Sequence, residues 1–455
     1  MGIEKHEIKD TDEQPKETPE QAEMTKQLQQ MADTELKREA DALAQKQREK
    51  TFIESTFSEY QTRESKVRGT EIKRGEAFRY ERGQIFKAYM NLRQEIREAE
   101  ARGEKVVVKK RLLIRMRERA RVIEKDLDEL NRQYYENARD VEIETPDGTF
   151  TVPVVELDLK KAKEGEDYDA TKDDRIPEVF LTGAVSNYHQ TACYTMARAL
   201  QGHRVLVPMT PEQPSVKKPE NFSQVLKQKG NLEPYADIVK ALVKKMELEE
   251  FNLSGWSMGA TVALEMASDP ELEGLHDLTV MEPLGLQDKG FLRMGWEFAV
   301  GQGLKTVTSS EKKIKSLDQG AQDSQAGLSA LVNAGSILAR KHFDSQKLSR
   351  INPGGRFQVL MGAQSPIMNG NIIKDVFKKT EALRIQKDSE ASPLEFYTVE
   401  GKETGADHSF PMVNALGLSR MVDGEPPKSQ FSTVTNKALG NSAVEWMLKD
   451  IAQGK

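Results

Sequence analysis

Cysteine is almost missing from this 455-residue chain. Cys193 stands alone, which excludes an intramolecular disulfide or a cysteine-built zinc site as the staple of the fold. No stretch reaches the roughly 18 uninterrupted apolar residues that a membrane span needs. The opening residues, Met1 to His6, lack an apolar signal core, and His6 stands where a myristoylation motif needs Ser or Thr. A cytoplasmic protein is therefore the expectation. A strongly basic block is absent as well: residues 1–140 carry 31 Lys+Arg against 30 Asp+Glu, and the whole chain nets −6. No nucleic-acid partner is expected from that balance, which mainly favours solubility. Metal-ligand spacings, phosphate loops and dinucleotide fingerprints are also missing, so neither a metal nor a cofactor is expected.

What is present divides the chain. Residues 1–20 hold acids, Lys, Thr, Gln and two prolines with little to bury, which predicts a disordered leader. Residues 21–140 predict a helical region. To about residue 66 it is rich in Gln, Glu, Lys and Ala, which favour helix. Further on, Ile85, Tyr89, Leu92, Ile96 and Ala99 recur at spacings of four and three. After Arg102-Gly103-Glu104 the alternation returns at Leu113, Met116, Ala120, Ile123, Leu127, Leu130 and Tyr134. These are the a and d positions of an antiparallel coiled-coil hairpin. Such a seam can close on the chain's own globular part, or it can serve as an arm for self-association or a protein partner.

The period then changes. Val141–Thr145 and Thr149–Val152 alternate around Pro146-Asp147-Gly148 and predict a β-hairpin, followed by a charged loop over 160–176. Thereafter short apolar strands at 179–181, 204–207, 251–253 and 278–281 alternate with helical patterns. The expected class is α/β, a mostly parallel sheet with helices on both faces. The alternation stops over 284–353, too long for an ordinary connection, and predicts an inserted helical lid. Phe291, Leu292, Met294, Trp296 and Phe298 could roof an apolar acyl pocket there, or simply hold the lid to its body. Strands at 357–361 and 394–399 and a helix near 440–453 complete a core of 141–283 plus 354–455.

The chemistry centres on Gly255-Trp256-Ser257-Met258-Gly259, between a predicted strand and a predicted helix. A nucleophile elbow needs this arrangement, because small residues two before and two after the serine let backbones approach closely. A serine hydroxyl needs a base to become nucleophilic. Of six histidines, His408 is best placed, in the turn-rich Gly405–Pro411 stretch after the last predicted strand. Trp256 and Met258 flank the serine in a way that packing alone also explains, and Cys193 reads as a small buried hydrophobe.

With these residues in view, the sequence over about 141–455 resembles the α/β-hydrolase superfamily of serine-hydrolase type. The resemblance implies an eight-stranded sheet and an oxyanion hole of two backbone N–H groups, those of Met258 and of Ala184. The latter lies in Leu181-Thr182-Gly183-Ala184-Val185, where Thr182 replaces the histidine of a frequent His-Gly pair. The family's usual acid slot after strand seven holds Ser365, in Gly362-Ala363-Gln364-Ser365. A second family position, after strand six, holds Glu282 in Val280-Met281-Glu282-Pro283. That strand end resembles haloalkane dehalogenases that use a glutamate, but their nucleophilic aspartate is replaced by Ser257, so dehalogenation is not implied. The resulting expectation is a Ser257–His408–Glu282 hydrolase of esters, thioesters or amides acting on a small-molecule or acyl substrate. Asp407 and an acid-free dyad are the other options for the third member. A non-catalytic module that binds a partner through the arm and lid is the alternative function.

Overall fold

The computed structural model describes residues 64–67, 70–73, 79–136, 138–169, 172–183, 188–211, 215–290, 293, 335–365, 367–400, 415–424 and 431–453. The expected leader, the helix before residue 64 and most of the expected lid, including Phe291, Leu292, Met294, Trp296 and Phe298, lie outside them.

The hairpin opens the sheet where Pro146-Asp147-Gly148 predicts a turn. Strands β1 (Arg139–Thr145) and β2 (Gly148–Leu157) pair antiparallel, with Val141 opposite Val152. Gly148 sits at φ 119, a backbone region that a side chain rarely adopts. Strand-helix alternation follows. In chain order come β3 (Glu178–Leu181), α4 (Tyr188–Leu200), β4 (Val205–Pro208), α5 (Phe222–Lys229), α6 (Glu233–Lys245) and β5 (Phe251–Trp256). After them come α7 (Met258–Ala267) and β6 (Leu275–Met281). Within the described part of the insertion lies α8 (Ser345–Leu348), and beyond it lie β7 (Phe357–Gly362), α9 (Gly370–Lys387), β8 (Leu394–Glu400), α10 (Ala415–Asp423), β9 (Phe431–Thr435) and α11 (Asn436–Gln453).

The sheet order is β1-β2-β4-β3-β5-β6-β7-β8-β9, antiparallel at β1, β2 and β4 and parallel from there on. Strands β3, β4 and β7 are buried along their whole length, as strands covered by helices on both faces should be. Phe150, Phe222 and Tyr235 meet edge to face beneath β2, with centroids 5.2 and 5.7 Å apart.

Nine strands rather than eight is a correction. Thr433, Val434 and Thr435 of the added strand are β-branched, but it passes into α11 without a turn residue between, so no punctuation marks its end in the sequence. Helices α5, α9 and α10 are likewise additions. The stretch expected as loop at 160–176 begins with helix α3 (Leu159–Glu164), capped by the Asp158 carboxylate accepting from the Lys161 N–H at 3.0 Å.

Ahead of the sheet lie helices α1 (Arg79–Ala101) and α2 (Val107–Glu136), preceded by a two-stranded ribbon pairing Glu64–Val67 with Thr70–Lys73. Ile96, Ala99 and Val106 cluster where α1 turns into α2, with Leu92 and Leu113 against them. Lys109 pairs with Glu95 at 2.9 Å across the turn. The predicted seam residues Met116, Ala120, Ile123, Leu127, Leu130 and Tyr134 are all buried, and α2 packs on β2, α4 and α11 as well as on α1. Gln133 fixes the contact by exchanging two hydrogen bonds with the Asp158 backbone, at 2.8 and 3.2 Å. Arg119 reaches Asp450 of α11 at 2.6 Å and lies over the Trp446 ring. The apolar stripe that could have served a partner is therefore occupied by this chain's own core.

Candidate active site

Strand β5 ends at Trp256 and the chain turns at once into α7. Ser257 makes the turn at φ 56, ψ −120, a conformation disfavoured for a residue with a side chain and kept only where the surroundings enforce it. The two glycines of the motif show what enforces it. A Cβ on Gly255 would stand 2.5 Å from the Gly259 carbonyl carbon, and one on Gly259 would stand 2.1 Å from the Leu181 carbonyl oxygen. Helix α7 can start this close to β5 and β3 only because both side chains are absent.

Further bonds hold the bend. The Ser257 N–H donates to the Met281 carbonyl at 2.9 Å, and the Ser257 carbonyl accepts from the Thr261 N–H at 3.1 Å and the Thr261 hydroxyl at 3.0 Å. Thr261 also accepts from the Leu284 N–H at 2.9 Å, which ties the elbow to the chain leaving β6. The Ser257 hydroxyl does not cap the helix it precedes. Met258, whose N–H is the expected oxyanion donor, is the first residue of α7 and fully buried.

Glu282 leaves the neighbouring strand in a similar way. It follows β6 directly, has φ 54 and donates its own N–H to the Leu360 carbonyl at 2.9 Å. Its side chain is completely buried. One carboxylate oxygen accepts from the Gly362 N–H at the end of β7, and the other accepts from the Ser365 hydroxyl at 2.6 Å. The two acid slots that the sequence offers as alternatives thus meet in space: the serine in the strand-seven slot donates to the glutamate of the strand-six slot. Of the three non-glycine residues at positive φ among the described residues, Ser257 and Glu282 are two, and they stand at adjacent strand ends.

Two hollows open near these strand ends, and neither Ser257 nor Glu282 lines them. An apolar pocket of about 30 Å³ is lined by Leu181, Met209, Ile238, Met258, Gly259 and Val262, among others. A polar cavity of about 690 Å³ opens at the ends of β7 and β8, bordered by Gly362, Ala363, Lys289, Asn369, Lys374 and Glu400 among others.

Ala184, His408 and Asp407 lie outside the described residues. The chain leaves β8 at Glu400 and is met again at Ala415, where α10 begins. The far end of α10 is anchored: the Asp423 carboxylate accepts from the buried Arg198 guanidinium and lies 2.7 Å from His203 Nε2. Burial raises the Asp423 carboxyl, but Arg198 and His203 outweigh it and hold it at about 2. Sequence reasoning missed this anchor and the donor role of Ser365. The spacing of Ser365 from Gly362 was visible, but a hydroxyl in an acid slot reads as a loss until its partner is located.

No protein-family model and no curated protein matches the chain. Among solved structures it is similar to an esterase from Exiguobacterium antarcticum, at 12% identity over 63% of this chain and 98% of that one, with a TM-score of 0.45. It is also similar to a thermophilic esterase from Thermogutta terrifontis (15%, 63% and 97%, 0.44) and to the enol-lactonase from Burkholderia xenovorans (12%, 62% and 98%, 0.43).

Proposed function

From the α/β-hydrolase fold of this chain we infer a serine hydrolase that cleaves a carboxylic ester, thioester or amide through an acyl-enzyme. The observation that carries the reading is the strained Ser257 turn beside a buried, doubly hydrogen-bonded carboxylate at the next strand end.

In this mechanism the Ser257 oxygen attacks the substrate carbonyl carbon while His408 takes the hydroxyl proton. The oxyanion that forms is met by the N–H groups of Met258 and Ala184. When the intermediate collapses, the carbon–heteroatom bond breaks and His408 returns the proton to the leaving alcohol, thiol or amine. Water, deprotonated by the same imidazole, then releases the acid. Glu282 orients the imidazole and stabilises its charged form. Donors from Gly362 and Ser365 help to hold its carboxylate in place.

A fluorophosphonate probe tests the mechanism directly. The wild-type protein is expected to be labelled, with labelling lost in Ser257→Ala and in His408→Ala. Equal labelling of wild type and Ser257→Ala would overturn the assignment.

A further inference from the structure

The near-neutral charge of residues 1–140 hides a local concentration. Between Lys105 and Lys125 the sequence holds nine Lys or Arg and two Glu. Helix α2 carries most of this stretch, and its two sides differ sharply. One is the buried seam that packs on the core. On the other, six large hydrophobic residues are exposed in the described part of the molecule, and four of them are here: Val107 at 57%, Val108 at 79%, Ile114 at 55% and Val122 at 44%. At 100° per residue these four, with Arg111, Arg115, Glu118 and Lys125, fall within an arc of roughly 120°. Arg111, Arg115 and Lys125 are exposed along with the aliphatic residues. The strip is about 27 Å long at 1.5 Å per residue.

Basic charge interleaved with exposed aliphatic side chains suits one kind of partner. A nucleic acid would reward the arginines but gain little from two valines and an isoleucine turned toward its backbone. A bilayer with anionic headgroups rewards both, since the cations meet the surface potential and the aliphatic side chains enter the headgroup boundary. No helix among the described residues is long and apolar enough to cross a membrane, so this contact would be peripheral. The seam on the opposite side leaves the strip facing outward from the sheet.

We propose that the outer face of α2 docks the protein on anionic lipid bilayers, with Val107, Val108, Ile114 and Val122 in the headgroup boundary and Arg111, Arg115 and Lys125 on the anionic headgroups. The inference is independent of the hydrolase reading.

Co-sedimentation of the full chain with phosphatidylcholine vesicles, with and without 30% phosphatidylglycerol, tests it. Binding is expected only to the mixed vesicles, and it should weaken as salt rises from 50 to 500 mM. The triple variant Arg111→Glu, Arg115→Glu, Lys125→Glu should lose about 100-fold in partitioning, at roughly five-fold per cation removed. The quadruple variant Val107→Ser, Val108→Ser, Ile114→Ser, Val122→Ser should lose binding at unchanged charge. None of these side chains belongs to the seam, so the thermal midpoints of both variants should stay near wild type. A shifted midpoint directs the test to Arg115→Glu and Val108→Ser alone, each expected to weaken binding several-fold. Absence of wild-type binding to mixed vesicles would overturn the proposal. So would retention of binding in both variants, or binding to duplex DNA instead of vesicles that the serine variant leaves intact. Dimerisation through this face, seen by light scattering and lost in the serine variant, would overturn it too.

Discussion

The two edges of the central sheet handle buried polar groups in opposite ways. At the amino edge they are matched charge for charge. Glu178, the first residue of β3, accepts from Arg198 and from the Ser254 hydroxyl, and Arg198 goes on to Asp423. Arg356, just before β7, makes two bonds to Glu395 of β8 and donates to the carbonyls of Val422 and Gly424. Tyr397 and Gln358 complete the Glu395 shell at 2.7 and 3.2 Å. At the carboxyl edge Ser257 and Glu282 stand on strained backbone, and Glu282 is held by a backbone N–H and a serine hydroxyl. The amino edge locks helices α4 and α10 to the sheet, whereas the carboxyl edge holds the proposed reactive groups at the place where open parallel sheets bind ligands. Substitutions of the buried polar side chains at the first edge should therefore act on stability, and those of Ser257 and Glu282 at the second on turnover.

The largest effect expected at the carboxyl edge is that of Glu282→Gln. The amide keeps the shape but cannot stabilise an imidazolium, so kcat should fall about 10³- to 10⁴-fold, with the unfolding midpoint close to wild type. Steady-state kinetics on a short-chain ester, beside a denaturant curve, would check both halves. Asp407→Asn should change turnover far less, and the reverse ranking would reassign the acid. Gly259→Ala sharpens the comparison from another side. Its methyl would meet the Leu181 carbonyl oxygen at 2.1 Å and the Thr182 carbonyl oxygen at 2.5 Å, so a loss of about 4 kcal/mol or more in urea unfolding is expected. A stable Gly259→Ala protein would mean that α7 does not approach β3 as closely as described.

Arg198→Met tests the opposite edge. It leaves Glu178 buried with the Ser254 hydroxyl in place of a charge, and should cost about 3–5 kcal/mol in stability. The effect on kcat, measured well below the new midpoint, should stay within several-fold; a loss matching that of Glu282→Gln would erase the distinction between the edges. The same cluster predicts a pH effect. Asp423 is held at about 2, below an unfolded value of about 3.9. Its contribution is therefore complete above pH 4 and lost as pH falls from about 4 to 2. Asp423→Asn should flatten the stability profile across that window.

How far the sequence could be read follows this division. Pattern reveals what repeats: the β1–β2 hairpin alternates with period two, the buried seam of α2 follows a heptad, and strands β3 to β8 show as short apolar runs between helical patterns. The elbow is legible because two glycines are a local steric demand with a local signature. Glu282 could be found as a candidate only through the strand that precedes it. Its partnership with Ser365 spans 83 residues and leaves no spacing to detect. The Arg198–Asp423 clamp spans 225 residues and is equally silent, since buried ion pairs are fixed by tertiary approach. Strand β9 was missed because it runs into α11 without a turn residue, and α9 because a moderately amphipathic helix between two strands looks like any polar connection.

Ser365 offers the finest test of the carboxyl edge. If its hydroxyl serves only to hold the Glu282 carboxylate, removing it takes away the donor on one of the two oxygens, while the Gly362 N–H stays on the other. Ser365→Ala should then lower kcat by about ten-fold, the scale of one hydrogen bond to a charged group, with KM little changed because the residue need not touch substrate. Ser365→Thr keeps the hydroxyl and should recover most of the activity, which separates positioning from mere packing. An equal loss in both variants would point to sterics at the end of β7. No loss in either would show that the Ser365 hydroxyl is dispensable, and that the carboxylate is positioned by its other partners, the Gly362 N–H among them.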